Sequence, residues 1–148
     1  MAQFNFEQIL PYPPKKVFNI FREQMLQSFP GVNLNNPLGA KAEKTTTGVS
    51  GYKFHLNIEI TDYQENEIYE ITSRASNKQE FVSRYKFMPE GDKNTRLNFS
   101  ETNTTPGFFG NANAILSSIL FKNRARKKIE KIVLSIVGEL EKRKTEKD

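Results

Sequence analysis

The sequence predicts an α+β fold in which a long C-terminal helix covers one face of an antiparallel sheet. In several short segments apolar residues recur at every second position, which is the period of a half-buried strand. In two longer segments they recur every three or four positions, which is the period of an amphipathic helix. The order is strand, helix, five strands and helix, and a sheet with one apolar face needs the last helix as its cover.

The N-terminal part of the chain predicts one strand and one helix. Two phenylalanines alternate with polar residues over residues 3–10, which indicates a strand. Three prolines then end it, and proline is tolerated in the first turn of a helix. Val17, Phe21 and Met25 recur every four positions, so an amphipathic helix of roughly four turns follows. Residues 30–39 are rich in Pro, Gly and Asn and predict a loop.

The middle of the chain predicts five more strands joined by short turns. They are expected over residues 40–47, 52–61, 67–76, 80–88 and 95–103. The second of these is the clearest, because apolar residues alternate with polar ones from Tyr52 to Ile60. The sequence "PEGDKN" at 89–94 is a strong hairpin turn. Alternation and short turns together favour an antiparallel meander.

A last helix is predicted from about residue 110 to the mid-140s. One stripe of it is expected to face the sheet: Ala114, Ser118, Phe121, Ala125, Ile129, Ile132, Ile136 and Leu140. The second half of this stripe is large and apolar, whereas three of the first four residues are small. Because protein interiors are closely packed, the space opposite the small residues is filled either by sheet side chains or by a ligand.

Two segments of the sequence resemble a known family. The hairpin "YKFMPEGDKNTRLNFSE" and the tail "GFFGNANAILSSILFKNRARKKIEKIV" are similar to a bacterial family known only as a domain of unknown function, DUF3284. The element order also resembles the START-like (SRPBCC or Bet v 1-like) superfamily, whose helix-grip fold wraps a curved antiparallel sheet around a C-terminal helix. The resemblance implies one domain over residues 1–148 with about six strands, and no assigned activity. A cystatin-like roll fits less well, because here the long helix comes last.

The superfamily resemblance implies a cavity for an apolar or amphipathic ligand between the sheet and the last helix. The residues predicted to line it are Tyr52, Phe54, Tyr69, Tyr85, Phe99, Glu101, Ala114, Ser118 and Ala125. Their few hydroxyl and carboxyl groups would give such a pocket its polarity. The alternative is that the aromatic residues reach across and fill the interior.

A second candidate region is a basic segment of the last helix. Residues 122–131 carry a net charge of +5, which equals the net charge of the whole chain. Apolar residues precede this segment, so the helix joins an apolar patch to a cationic one, as in proteins that lie on anionic membranes. The predicted surface patch comprises Phe108, Phe109, Leu116, Leu120, Lys122, Arg124, Lys127, Lys128 and Lys131.

Two alternatives for this patch remain open. The apolar residues could pack under the 30–39 loop or in a dimer contact, with the charges on a solvated helix face. Nucleic acid is disfavoured as a partner, because no aromatic residues are interleaved with the cations and no binding motif is present. The sequence predicts no oligomeric state.

The sequence shows no signature of catalysis. The only histidine, His55, falls on the polar face of its strand, and the chain has no cysteine. There is no phosphate-binding loop, dinucleotide fingerprint or calcium loop, so we predict no metal and no cofactor. Glu101 is the one acid expected to point inward; a buried carboxylate can act as an acid or base, but an inward glutamate also commonly meets Lys, Arg or solvent.

These observations favour a binding protein over an enzyme. The leading hypothesis is a domain that holds a small apolar or amphipathic ligand between sheet and helix. The alternative is a surface module that contacts an anionic membrane or a protein partner through the basic helix, with a filled interior. The N-terminal residues "MAQFNFEQIL" lack the pattern of a signal peptide, and no apolar stretch approaches the roughly 18 residues that span a bilayer, so a cytoplasmic location is expected.

Overall fold

The structure is a computed structural model that describes residues 2–47, 53–76, 78–104 and 114–147. Its elements are β1 (Ala2–Leu10), α1 (Pro14–Ser28), β2 (Lys41–Thr47), β3 (Lys53–Gln64), β4 (Ile68–Ala75), β5 (Glu80–Glu90), β6 (Asn94–Asn103) and α2 (Ala114–Lys147). The predicted order of strand, helix, five strands and helix is therefore confirmed. As expected, α1 begins with a proline in its first turn.

All six strands form one antiparallel sheet in the order β1-β6-β5-β4-β3-β2. Five strands follow one another as a meander, and β1 adds to the far edge by pairing with β6. In that pair Ala2 lies opposite Asn103 and Leu10 lies opposite Thr95. The first and the last strand are therefore neighbours, although more than 80 residues separate them.

Two strands, β3 and β5, continue two or three residues beyond their predicted C-terminal ends. β3 continues to Gln64, so the connection expected between the strands predicted at 52–61 and 67–76 is confined to residues 65–67. A register shift between Ile60 and Asp62 inserts one extra residue into the pairing with β4, and such a bulge lets the strand continue with a bend. Likewise β5 continues to Glu90, so the predicted 89–94 loop is reduced to 91–93, where Gly91 takes the positive φ of 70° that favours glycine.

One end of the concave face of the sheet is closed by aromatic packing from α1. The Phe21 ring lies 4.9 Å from the Tyr85 ring, 5.0 Å from Phe87 and 6.0 Å from Tyr69, measured between centroids. Phe18 contacts Phe87 at 5.1 Å in an edge-to-face arrangement. All five side chains are at least nine-tenths buried. Such geometry is favourable for aromatic pairs beyond the area that they bury.

The helix α2 packs along the same concave face. Its buried side chains are Phe121, Ala125, Ile129, Val133, Ile136 and Leu140. Five of these six belong to the stripe expected from the sequence, but Val133 is buried where Ile132 was expected, and Ile132 is half-buried on the flank. A small rotation of the helix about its axis accounts for this exchange, because the two positions are only about 100° apart.

Contacts near its C-terminal end hold α2 in place. The Tyr12 hydroxyl donates a hydrogen bond to the Glu141 carboxylate, and Arg143 forms ion pairs with Glu23 of α1 and with Glu139. Closer to the N-terminal end of α2, the Arg126 guanidinium lies 5.7 Å from the centroid of the Phe4 ring on β1.

Neither of the helices, over the residues that the structure describes, is long and apolar enough to cross a membrane.

Candidate functional site

The end of the concave face away from α1 is only partly covered by the described residues. We define the open end by five residues that point inward and are only half-buried: Leu56, Ile71, Ser73, Ala75 and Phe81. The pairing register brings them together, because Ser73 lies opposite both Ile58 and Phe81, and Leu56 lies opposite Ala75. Directly opposed residues of an antiparallel pair share a face, so these side chains line one continuous surface.

A polar cluster lies beside the open end. Across β4 and β5, Ile71 is paired with Ser83, and Ser83 is in turn paired with Glu101 of β6. The Ser83 hydroxyl donates a hydrogen bond of 2.5 Å to Glu101 Oε1. From α2, the Lys128 ammonium donates to the same oxygen at 2.7 Å and to Ser83 Oγ at 3.0 Å. Three elements thus contribute one side chain each to the cluster Ser83, Glu101 and Lys128.

The acid of the cluster is buried, whereas its lysine is partly accessible to solvent. The side chain of Glu101 is 10% exposed, whereas that of Lys128 is 43% exposed. The Lys128 ammonium also lies 5.9 Å from the centroid of the buried Phe99 ring, within the range of a cation–π contact. The lysine stem therefore runs along the space between α2 and the sheet, and its charged end stays partly in contact with solvent.

Two buried tyrosines, Tyr69 and Tyr85, lie on the same inward face of the sheet as this cluster. Burial raises the pKa of the Tyr85 phenol well above its ordinary value, and the charge of Glu101 acts in the same direction. Burial raises the pKa of Tyr69 in the same way. Both phenols are therefore neutral at physiological pH. Neither hydroxyl makes a hydrogen bond with another residue within the described ranges.

The geometry does not activate Ser83 as a nucleophile. A lysine that serves as the base for a serine must be neutral, whereas Lys128 is here one partner of an ion pair with Glu101. The Ser83 proton is directed to the same carboxylate. Among the residues that the structure describes there is also no group of His, Cys, Asp and Glu side chains that could hold a metal ion. The cluster is suited to binding polar groups by hydrogen bonds.

The predicted cavity residues divide into two groups. Tyr69, Tyr85, Phe99, Glu101 and Ala125 are buried on the concave side. Of these, Tyr69 and Tyr85 contact Phe21, so the predicted cavity is closed on the side of α1. Tyr52 and the side chains of Phe54, Ala114 and Ser118 lie outside the described residues.

The predicted surface patch is partly described. Leu120 is 54% exposed, and Arg124, Lys127 and Lys131 are exposed on the same outward face of α2. Lys122 is exposed as well, but at about 100° per residue it lies on the other side of the helix from Leu120. Phe108, Phe109 and the side chain of Leu116 lie outside the described residues.

Lys128 differs from its predicted place in the surface patch. It turns toward the sheet and pairs with Glu101, because its position on the flank of the buried stripe lets a long side chain reach over the edge of the helix. The sequence contained a signal for this contact. Glu101 is the one acid expected to point inward, and an inward carboxylate needs a cationic partner, which the facing helix supplies. Ser83 was not among the predicted site residues, although it alternates in step with Phe81 and Tyr85.

Two depressions lie on the outer face of the sheet. One, of about 590 Å³, is lined by polar residues of β1, β5 and β6 such as Asn5, Lys86 and Asn98. The other, of about 520 Å³, lies over β2 to β4 near Lys41 and Arg74. Both are shallow and open to solvent and bring together no reactive constellation. They are separate from the predicted cavity, which remains a prediction.

Comparison with known proteins supports the family resemblance. A family model described as "Domain of unknown function (DUF3284)" matches residues 4–122. No curated protein matches the chain.

Several solved structures are similar in fold. A protein of unknown function, SA2116 from Staphylococcus aureus, superposes with a TM-score of 0.67 at 10% identity, over 97% of this chain and 95% of that one. The protein TTHA0849 from Thermus thermophilus gives 0.65 at 16% identity, over 93% and 98%. Ara h 8.0201 gives 0.64 at 18% identity, over 93% and 95%. These similarities confirm the START-like helix-grip fold, and at such identities they extend to the fold alone.

Proposed function

The chain belongs to the DUF3284 family, and from the geometry of its interior we propose that it binds a small apolar or amphipathic molecule between the concave face of the sheet and α2. The proposal concerns binding and includes no reaction. It rests on a difference between the two ends of one surface, which share a sheet and a helix but differ in how far they are covered.

The observation that carries the proposal is the partial exposure of inward-facing apolar side chains. At the closed end Phe21 and Phe87 are buried to 4% and 2% exposure. At the open end Leu56, Ile71 and Phe81 point to the same side of the sheet and remain half-buried. Sites for small molecules are concave, mostly apolar and furnished with a few polar groups, and the open end with its neighbouring cluster has this composition.

Ser73→Phe tests the proposal by occluding the open end. Ser73 is half-buried between the apolar side chains of Ile58 and Phe81, so a phenyl group there would occupy the surface at which a ligand is expected. We expect the wild-type protein to bind the neutral fluorescent probe N-phenyl-naphthylamine and the variant to bind it at least about tenfold more weakly, as expected when a pocket is filled. Fluorescence titration measures both dissociation constants.

Ser100→Phe is the matched control. Ser100 lies on the outer face of the sheet, where it is paired with Asn5 and Arg84. The same substitution there adds the same apolar surface away from the proposed site. Its probe affinity should equal that of the wild type. Absence of probe binding to the wild type, or equal loss in both variants, would contradict the proposal.

A second function, contact with an anionic membrane surface, is favoured by the outward face of α2. There Arg124, Lys127 and Lys131 lie between Leu120, which is 54% exposed, and Leu134, which is 74% exposed. These three cations make no ion pair within the described residues, whereas every described arginine outside residues 122–131 is ion-paired. Unpaired cations flanked by exposed leucines match a headgroup layer, in which each cation contributes about 1 kcal/mol.

Vesicle binding tests this second function. The protein should sediment with phosphatidylcholine vesicles that contain phosphatidylglycerol, and less so as salt rises, because the attraction is screened. Lys127→Glu with Lys131→Glu should abolish sedimentation, and Leu120→Ser should weaken it even at low salt. Binding to nucleic acid would share the salt dependence but not the effect of Leu120→Ser. No sedimentation with anionic vesicles at low salt would reject the membrane contact.

A further inference from the structure

Lys128 stands apart from the other cations of its segment. Its neighbour Lys127 is exposed on the outward face and makes no ion pair with a described residue, whereas Lys128 reaches Glu101 and Ser83 over the concave face. Maintaining this contact orders a long side chain and withdraws Glu101 from water, both of which oppose folding. The arrangement places a donor and an acceptor together at the edge of an apolar surface.

The cluster keeps hydrogen-bonding capacity that no described residue uses. An ammonium group has three donor hydrogens, and two of them are directed at Glu101 Oε1 and Ser83 Oγ. Both hydrogen bonds to the Glu101 carboxylate end on Oε1, so Oε2 makes none within the described part of the chain. One donor of Lys128 and one acceptor oxygen of Glu101 therefore remain for a further partner.

The charges of the cluster decide what that partner is. Lys128 and Glu101 form an ion pair of zero net charge. A carboxylate beside the pair would be attracted by the ammonium but repelled by the carboxylate, and an amine would experience the reverse. A hydroxyl group suits both, because it accepts a hydrogen bond from Lys128 and donates one to Glu101. Its carbon skeleton would then lie on the apolar surface of Ile71 and Phe81, next to Ser83 across β4 and β5.

We infer that Ser83, Glu101 and Lys128 bind the polar group of the ligand and select an uncharged, hydroxyl-bearing apolar molecule, an inference that rests on the proposed ligand function. Specificity of this kind is strong when buried polar groups are left unpaired by the wrong ligand. The apolar surface provides affinity, and the cluster discriminates among head groups.

A set of three ligands with one chain length tests the inference: decanol, decanoate and decylamine at neutral pH, each measured by displacement of N-phenyl-naphthylamine. The wild type should bind decanol about tenfold more tightly than either charged ligand, the effect of about one hydrogen bond with a charged group. Glu101→Gln removes the negative charge and should shift the preference toward decanoate by about tenfold. Lys128→Met removes the positive charge and should shift it toward decylamine by a similar factor.

Lys127→Met is the matched control, because it makes the same change on the outward face and should leave the preference order unaltered. Circular dichroism of each variant verifies folding, and the wild-type preference is a test that needs no variant. Tighter wild-type binding of decanoate than of decanol, or an order unchanged in both cluster variants, would overturn the inference while leaving the ligand function intact. A wild type that binds no probe would overturn both.

Discussion

The two ends of the concave face are built from the same sheet and helix but differ in what covers them. At the closed end α1 inserts Phe18 and Phe21 against Phe87 and the two buried tyrosines. At the open end no side chain of α1 makes a ring contact among the described residues, and Phe81 stacks instead on Phe121 of α2 at 6.1 Å. A complete core and an accessible apolar surface thus occur within one layer.

The difference between the two ends shows how such a domain can be stable and still expose an apolar surface for a ligand. The free energy of folding comes mainly from apolar burial, which the closed end supplies. A binding surface must keep apolar area uncovered, which costs stability locally. Because five buried aromatic side chains pack together at the closed end, we expect the open end to vary with little effect on folding. Substitutions at the two ends should therefore have unequal effects on stability and on binding.

The largest effect is expected from Phe21→Ala. The ring is 4% exposed and contacts Tyr69, Tyr85 and Phe87, so its loss creates a cavity and should lower the free energy of unfolding by about 3 to 5 kcal/mol. The matched change Phe81→Ala, at the half-buried open end, should cost about 1 to 2 kcal/mol. Urea denaturation measures both values, and equal losses would remove the distinction between the ends.

Ala125→Phe should lower the free energy of unfolding by less than Phe21→Ala does. Ala125 is 1% exposed between helix and sheet, so a phenyl group would overpack the interior, with an expected loss of about 1 to 3 kcal/mol. Ser73→Phe at the open end should change the free energy of unfolding by less than about 1 kcal/mol, because Ser73 is only half-buried. If the two substitutions prove equally destabilising in chemical denaturation, the open end is packed as tightly as the position of Ala125.

Lys128→Met should have a moderate effect. It leaves the buried Glu101 carboxylate with only the Ser83 hydroxyl as a described partner, so a loss of about 1 to 2 kcal/mol is expected. The neighbouring change Lys127→Met should stay within about 0.5 kcal/mol, because Lys127 is exposed. Thermal unfolding of the two variants compares them directly, and equal melting temperatures would mean that the ion pair adds nothing to stability.

The smallest effect on stability is expected at Tyr12, whose hydroxyl contacts the C-terminal end of α2, and this effect should depend on pH. Burial, and then the hydrogen bond to Glu141 and its charge, raise the pKa of Tyr12 from 10.0 to about 12. The folded state therefore binds this proton more tightly than the unfolded state, so the contribution is complete below pH 10 and is lost as pH rises toward 12.

Tyr12→Phe should accordingly lower stability by about 1 kcal/mol at neutral pH. The difference between wild type and variant should shrink as pH rises from 10 to 12. Urea denaturation at several pH values measures it. A difference that is constant over this range would show that the hydroxyl does not titrate as the contact with Glu141 requires.

Much of the fold followed from periodicity. The alternation at Leu97, Phe99 and Glu101 correctly predicted which side chains of β6 are buried, because a strand has only two faces. The ends of strands were less predictable. The continuation of β3 to Gln64 depends on a bulge, which is a property of the pairing with β4 and not of the local sequence.

The candidate site was harder to predict than the fold. The helix period placed Phe21 on the apolar face of α1, but it could not show that this ring would contact both Tyr69 and Tyr85. That contact depends on how the helix crosses the sheet. Lys128 illustrates a second limit, because a helical wheel gives the direction of the Cβ atom, whereas a flexible side chain on the flank can carry its charge to the buried face.

The pairing of β1 with β6 also has a consequence for the order of folding. The N-terminal strand is made first, but its partner, residues 94–103, is synthesised some 90 residues later. Until then β1 has no partner strand, and Phe4 lacks the Phe99 ring that it contacts in the folded protein. The meander β2 to β6 contains only local hairpins and can form early, whereas closing the long loop back to β1 is slow. We therefore expect the nascent chain to acquire its N-terminal strand last among the strands, when β6 has left the ribosome.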